Sequence, residues 1–213
     1  DEHANQAIAN SLLGLGYMAN HGVLGKEPLP TETITALLSK LNEKKLDDEH
    51  ANQTIANILL GLGYMANNGV LGKNALSTKV IIALLSKLND KKLDDEHSAQ
   101  HIANTLLGLG YMANNGVLGK EPLPSETTET ITALLSKLDE KKLDDEHANQ
   151  AIANTLLGLG YMANNGVLGK NVLSTKAIIA LLSKLNKKKL DGEHDAQHIA
   201  NTLLGLGYMA NNG

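Results

Sequence analysis

Glu-His pairs recur at Glu2-His3, Glu49-His50, Glu96-His97, Glu146-His147 and Glu193-His194, with successive spacings of 47, 47, 50 and 47 residues. Each pair is followed by the string Gly-Leu-Gly-Tyr-Met-Ala, at 14–19, 61–66, 108–113, 158–163 and 205–210. A period this long belongs to stacked supersecondary units, because one such unit cannot cover its own apolar face and needs its neighbours to do so. The expected fold is therefore all-α, an α-solenoid of antiparallel helix pairs with a period of about 47 residues. Its units are 1–47, 48–94, 95–144 and 145–191, with a half unit of one helix at 192–213. The third unit is longer by three residues, EPLPSETTETITALL at 121–135 against EPLPTETITALL at 27–38. An insertion that leaves both flanking patterns intact is expected in a loop.

Each unit reads as two helices. The first, helix A, runs in the second unit from about Asp48 to about Asn67: Asp47 or Asp48 supplies an N-cap, Glu49 suits the positive end, and Gly69 stands where a glycine ends a helix. Its apolar arc of Ile8, Leu12, Leu15 and Ala19, widened by Ala9, Leu13 and Gly16, is broad enough for cover from a helix B and from neighbouring A helices. Helix B opens at Thr31, Ser77, Ser125 (or Thr128) or Ser174 and carries Ile34, Leu37, Leu38 and Leu41 at helical spacing. Odd and even units differ there: Thr33-Ile34-Thr35 and Thr130-Ile131-Thr132 become Val80-Ile81-Ile82 and Ala177-Ile178-Ile179, a pattern expected where the duplicated block is a pair of units.

The Gly-x-Gly-x-x-Ala string is near the dinucleotide fingerprint, but that fingerprint needs a strand before it and a helix N-terminus at the phosphate. Here Gly14 and Gly16 fall in the second half of a helix, where each costs about 1 kcal/mol relative to Ala. Close approach of a neighbouring helix is the compensating gain expected. GVLGK at 22–26 has glycine spacing too short for a phosphate loop, and no Ser or Thr follows Lys26, Lys73, Lys120 or Lys170. It reads as a helix connection. His97 with His101, and His194 with His198, stand four apart and could share a zinc ion, but units one, two and four carry Ala7, Thr54 and Ala151 at the second position. They read as surface histidines. The lysines of NEKKLDDEH at 42–50 precede acidic residues at once, an arrangement suited to one helix C-terminus followed by the next N-terminus. No metal and no cofactor is expected.

With no Cys there is no thiolate or disulfide chemistry, and all 19 basic residues are Lys, so the bidentate side chain favoured for phosphates and guanine edges is missing. No apolar run approaches the roughly 20 residues of a membrane span. Lacking an initial Met and stopping within a repeated motif, the chain reads as a segment of a longer array. No nucleophile has a base beside it, so no enzyme and no small-molecule substrate are expected. Copies differ most at two positions of helix A: Ala7, Thr54, His101, Ala151 and His198, and Ser11, Ile58, Thr105, Thr155 and Thr202. Beside them the same residue returns at Asn10, Asn57, Asn104, Asn154 and Asn201, with Gly14, Tyr17 and Met18 and their equivalents close by. This strip is the candidate partner-binding surface; packing of Tyr17 and Met18 between helices is the competing reading.

QHIANTLLGLGYM at 100–112 and QAIANTLLGLGYM at 150–162 resemble the first-helix pattern of octotricopeptide-type repeats, and, with LLSKL at 37–41, are similar to the helical repeats of the SKWP group of bacterial effectors. The match covers about a dozen residues per unit. Leu107 and Leu157 stand where that pattern has an aromatic, and Gly108 and Gly110 where it has Ala. The resemblance implies a helix-pair fold and either protein binding, as in a secreted effector, or single-stranded RNA binding. From these come three expectations: a protein-binding scaffold first, modular RNA recognition second, and a spacer or antigenic array third. DNA and membrane are not expected partners.

Overall fold

The computed structural model describes residues 2–42, 51–73, 75–88, 98–140, 148–169, 172–185 and 195–211. Among them are nine helices and no strand: α1 (Glu2–Asn20), α2 (Thr31–Asn42), α3 (Ala51–Asn67), α4 (Thr78–Leu85), α5 (Ser98–Asn114), α6 (Ser125–Glu140), α7 (Ala148–Asn164), α8 (Thr175–Leu185) and α9 (Asp195–Asn211). The odd-numbered helices are the A helices of the sequence and the even-numbered ones the B helices. None of the described helices is long and apolar enough to cross a membrane.

The A helices end as the glycine after each Asn predicts. Gly22, Gly69, Gly116 and Gly166 have φ between 72° and 75°, a conformation in which a Cβ is unfavourable. The Gly69 N–H donates to the Ala66 carbonyl and the Val70 N–H reaches back to Met65 at 2.9 Å, the paired bonds of a Schellman motif. GVLGK then runs as turns into the B helix, with Gly25 and Gly119 again at positive φ. Ser77 caps α4, its hydroxyl accepting from the Lys79 N–H.

The insertion in the third unit is not in a loop. α6 starts directly at Ser125 and is 16 residues long, against 12 in α2. The Thr127 and Thr128 N–H groups both donate to the Pro124 carbonyl. Three residues are close to one helical turn, so they can join the helix N-terminus with little rotation of the apolar face that follows. Thr127 is buried there.

Packing is dominated by contact between successive A helices, α1 with α3, α3 with α5, α5 with α7 and α7 with α9, while α2, α6 and α8 each touch the A helix before them in the chain and α4, α6 and α8 touch in series. Glycine makes the A contacts possible. A Cβ on Gly16, Gly63, Gly110 or Gly160 would lie 2.5 to 2.7 Å from the Cα of Gly61, Gly108, Gly158 or Gly205. A Cβ on Gly61, Gly108, Gly158 or Gly205 would in turn run into the carbonyl oxygen of Leu12, Leu59, Leu106 or Leu156. In α3, α5 and α7 the first glycine of the string thus meets the preceding A helix and the second meets the following one, a backbone approach that no other residue type allows. The connectors also link units: the Leu29 N–H donates to the Val70 carbonyl and the Leu123 N–H to Val167, both at 2.9 Å.

One continuous core runs beneath this row, formed by A-helix residues such as Leu12, Leu59, Leu106 and Leu156 and B-helix residues such as Ile34, Ile81, Ile131 and Leu181. Each such side chain contributes roughly 1.5–3 kcal/mol by leaving water. Asp47, Asp48, Glu49, Lys170, the lysine runs after each B helix, and His97 and His194 lie outside the described residues.

Candidate functional site

The strip singled out in the sequence divides into two columns when the helices are packed. One column is formed by the residue series of Ala7, Ser11, Gly14 and Met18, spaced i, i+4, i+7 and i+11 along one side of helix A. In α3 this side is closed: Thr54, Ile58, Gly61 and Met65 are all buried. Thr105, Ala151, Thr155 and Thr202 are buried likewise, and His101 and His198 are half-buried. The cause is the first glycine of each string. It brings the preceding helix backbone so near that every side chain in line with it is covered. From α3 onward, the variable positions Ile58, Thr105, Thr155 and Thr202 are therefore interhelical seam, not surface open to a partner. The Thr155 and Thr202 hydroxyls find no hydrogen-bond partner among the described residues, a burial that costs about 1–3 kcal/mol in each case. Met18 equivalents Met65, Met112 and Met162 are core. Only α1, with no described helix before it, shows Ala7 and Ser11 exposed, the Ser11 hydroxyl donating to the Ala7 carbonyl at 2.8 Å.

The second column is the same in every copy and is open at its Gln and Asn, while its Leu is buried in α3, α5 and α7. Gln53, Asn57, Leu60 and Tyr64 repeat the i, i+4, i+7, i+11 spacing one residue earlier on the helix, followed by Gln100, Asn104, Leu107 and Tyr111, by Gln150, Asn154, Leu157 and Tyr161, and by equivalents in α1 and α9. Gln53, Gln100 and Gln150 are exposed, and Asn57, Asn104, Asn154 and Asn201 half-buried, with Asn10 exposed. Leu60, Leu107 and Leu157 form a second apolar cluster, separate from the main core, with Leu13, Tyr64, Tyr111 and Tyr161 packed on it. His101 and His198 belong to the first column; among the described residues no group of three metal-ligating side chains comes together.

Tyrosines join the columns across the row. The rings of Tyr17, Tyr64, Tyr111, Tyr161 and Tyr208 follow one another with centroids 5.6, 6.0, 5.9 and 5.4 Å apart and planes tilted by 36–38°. This offset, tilted arrangement is one aromatic quadrupoles favour. Burial pushes the Tyr111 phenol up to about 12, helped by Tyr64 and Tyr161 beside it. Burial likewise raises Tyr64, with Tyr17 adding to it, and Tyr161, with Tyr208 adding to it. The interior phenols are thus neutral donors and acceptors at physiological pH. At the ladder's end Asn68 Nδ2 donates to the Tyr64 carbonyl at 2.9 Å, and Asn115 and Asn165 do the same to Tyr111 and Tyr161.

No ionisable carboxylate or Lys occurs anywhere in α3, α5 or α7. The described lysines, such as Lys26, Lys73 and Lys120, stand on connectors and B helices. Among the described residues the columns themselves carry no charge; they are amide-rich and backed by Leu and Tyr. The strip read in the sequence already includes the Asn row and Tyr17 with its equivalents; the Gln and Leu that complete the column are signalled by their invariance among the five copies at one-residue offset from the variable positions. Compared with protein-family models, with curated proteins and with solved structures, the chain finds no match.

Proposed function

We propose that the helices form an α-solenoid of antiparallel pairs with a period of about 47 residues, and that it works as a binding scaffold for a protein partner rather than as an enzyme. The observation that carries this reading is the Gln-Asn-Leu-Tyr column, repeated five times in register across one face. An amide side chain offers both a donor and an acceptor, the complement of a peptide group. Tyrosine adds large, amphipathic contact area with little rotamer entropy to lose, and here its rings are held by one another. A row of such columns suits an extended polypeptide segment, each unit contributing a small and similar share of affinity.

Single-stranded RNA is the rival partner that the octotricopeptide resemblance brings in. Within α3, α5 and α7 there is no Lys to pair with phosphates or release counterions, which favours the protein reading. The test is a fluorescence-anisotropy titration against an arrayed library of extended peptides and a randomised single-stranded RNA pool, at low and near-physiological salt. Peptide binding is expected to change less than about twofold with salt and to weaken about tenfold or more in the Asn104→Ala, Tyr111→Ala double variant, since anchors of this kind each contribute about 1 kcal/mol or more. Saturable RNA binding that falls steeply with salt, and no peptide binding, would reverse the assignment.

A further inference from the structure

We infer that the Asn-Gly pairs closing α3, α5 and α7 are modification sites: they convert to aspartate or isoaspartate through a cyclic imide when the helix end opens, and the closed cap holds them unreactive. In an Asn-Gly pair the glycine nitrogen can reach Cγ of the asparagine, because no side chain on the glycine stands in the way. The N–H proton passes to hydroxide or a buffer base, an N–Cγ bond forms, the Cγ–Nδ2 bond breaks and ammonia leaves. Water then opens the ring at either of its two carbonyls, and no further reactant is needed. Such pairs occur at Asn68-Gly69, Asn115-Gly116, Asn165-Gly166 and Asn212-Gly213, of which the last lies outside the described residues.

In the three described pairs the cap holds both reacting groups. Nδ2 of Asn68, Asn115 and Asn165 donates to the carbonyl of Tyr64, Tyr111 and Tyr161 at 2.9 Å, which turns the side-chain amide back along the helix and away from the nitrogen that follows. That nitrogen is engaged as well: the Gly69, Gly116 and Gly166 N–H groups donate to the carbonyls of Ala66, Ala113 and Ala163 at 3.1, 3.1 and 3.0 Å. Attack requires both bonds to break, which is a local opening of the last turn. The product no longer fits the closed cap. Hydrolysis replaces the Nδ2 donor by an oxygen and sets a carboxylate against the tyrosine carbonyl, at the negative end of the helix. The isoaspartyl form also adds a methylene to the backbone inside the cap. Asn68 and Asn165 further donate to Oδ1 of Asn20 and Asn114 on the preceding A helix, both at 3.4 Å, so the loss reaches the neighbouring unit. Opening is thereby recorded as a lasting charge. Unit one supplies the comparison: His21 holds the same place, with Gly22 closing on the Ala19 carbonyl at 2.9 Å, and has no amide to react.

The test is the rate at each pair, followed by peptide mapping of the native 213-residue chain in mildly alkaline buffer, against the same chain unfolded in urea and the free peptide YMANNGVLGK of residues 111–120. Loss of ammonia and uptake of water are read at Asn68, Asn115 and Asn165. In the native chain these sites should react at least about tenfold more slowly than the peptide, the factor that about 1.4 kcal/mol of opening free energy gives. In urea the difference should vanish. Asn115→Asp, which installs the product directly, should melt about 2–4 °C below wild type. A chain carrying Asn68→His, Asn115→His and Asn165→His should keep its own midpoint through an ageing that lowers that of wild type. Native rates equal to that of the peptide overturn the proposal, since the cap would then protect nothing. So does an Asn115→Asp chain that melts with wild type, which would mean that the closed cap accepts the product.

Discussion

α5 and α9 are almost the same helix in sequence, SAQHIANTLLGLGYMAN and DAQHIANTLLGLGYMAN, yet they live in different environments. Leu106 is fully buried and Leu203 is 62% exposed; Ala103 is buried and Ala200 exposed; Leu107 is 4% exposed and Leu204 43%. One residue in seventeen differs. Burial in this molecule is consequently a property of the neighbour and not of the helix, and the amphipathic pattern that predicts a helix cannot report how many of its sides will be covered. A helix that is apolar on both flanks and on its underside is designed for the middle of a row.

The largest effect that could break this comparison is at glycine. Gly110→Val adds a branched side chain where a Cβ would already lie 2.5 Å from the Cα of Gly158, with backbone on both sides unable to swing away. It is expected to destabilise by about 3 kcal/mol or more, because the two helices must part along their whole seam. Gly207→Val, the same change at the same place in the string, meets nothing. It should leave the urea midpoint within a few tenths of a molar of wild type, given slopes of about 1–3 kcal/mol per molar. Equal midpoints for the two variants would mean that the glycine contacts do not hold the row together.

A smaller effect separates the interior phenols from free tyrosine. Tyr64, Tyr111 and Tyr161 are raised, Tyr111 to about 12, so the folded chain keeps these protons after the unfolded chain has begun to lose them near a pKa of about 10. Between those values the folded state binds more protons than the unfolded one, and stability must fall as pH rises. Below about pH 9 the phenols are neutral in both states and contribute no slope. Tyrosinate absorbance should therefore rise late and coincide with loss of helical signal. Stability that is flat through about pH 11 would show the ladder to be solvated.

Much of this was legible in the sequence. The nine described helices, the glycine that ends α1, α3, α5 and α7, and the close approach implied by Gly14-Leu15-Gly16 all follow from spacing and from what glycine costs in a helix. The alternation of the two glycines, one toward each neighbour, was not legible, since it depends on the angle at which adjacent helices cross. Ile58 and Thr105 looked like readers of a partner because they vary among copies; they vary instead within a seam. The three residues around Thr128 looked like a loop because flanking patterns survived them, and they survived because three residues nearly complete a turn.

The smallest predicted effect has the opposite sign in the two regions. Glycine within a helix is less favourable than alanine by about 0.5–1 kcal/mol, through the backbone freedom it loses on folding. At Gly14 no steric term opposes the exchange, so Gly14→Ala should stabilise by about that amount. At Gly61 the same methyl group collides with the Leu12 carbonyl, and Gly61→Ala should destabilise although its helix propensity improves equally. Paired thermal melts at low protein concentration would read both. Because propensity is common to the two variants, the difference between their midpoints measures the neighbouring helix alone, and a difference of zero would leave the row with no specific contact at its glycines.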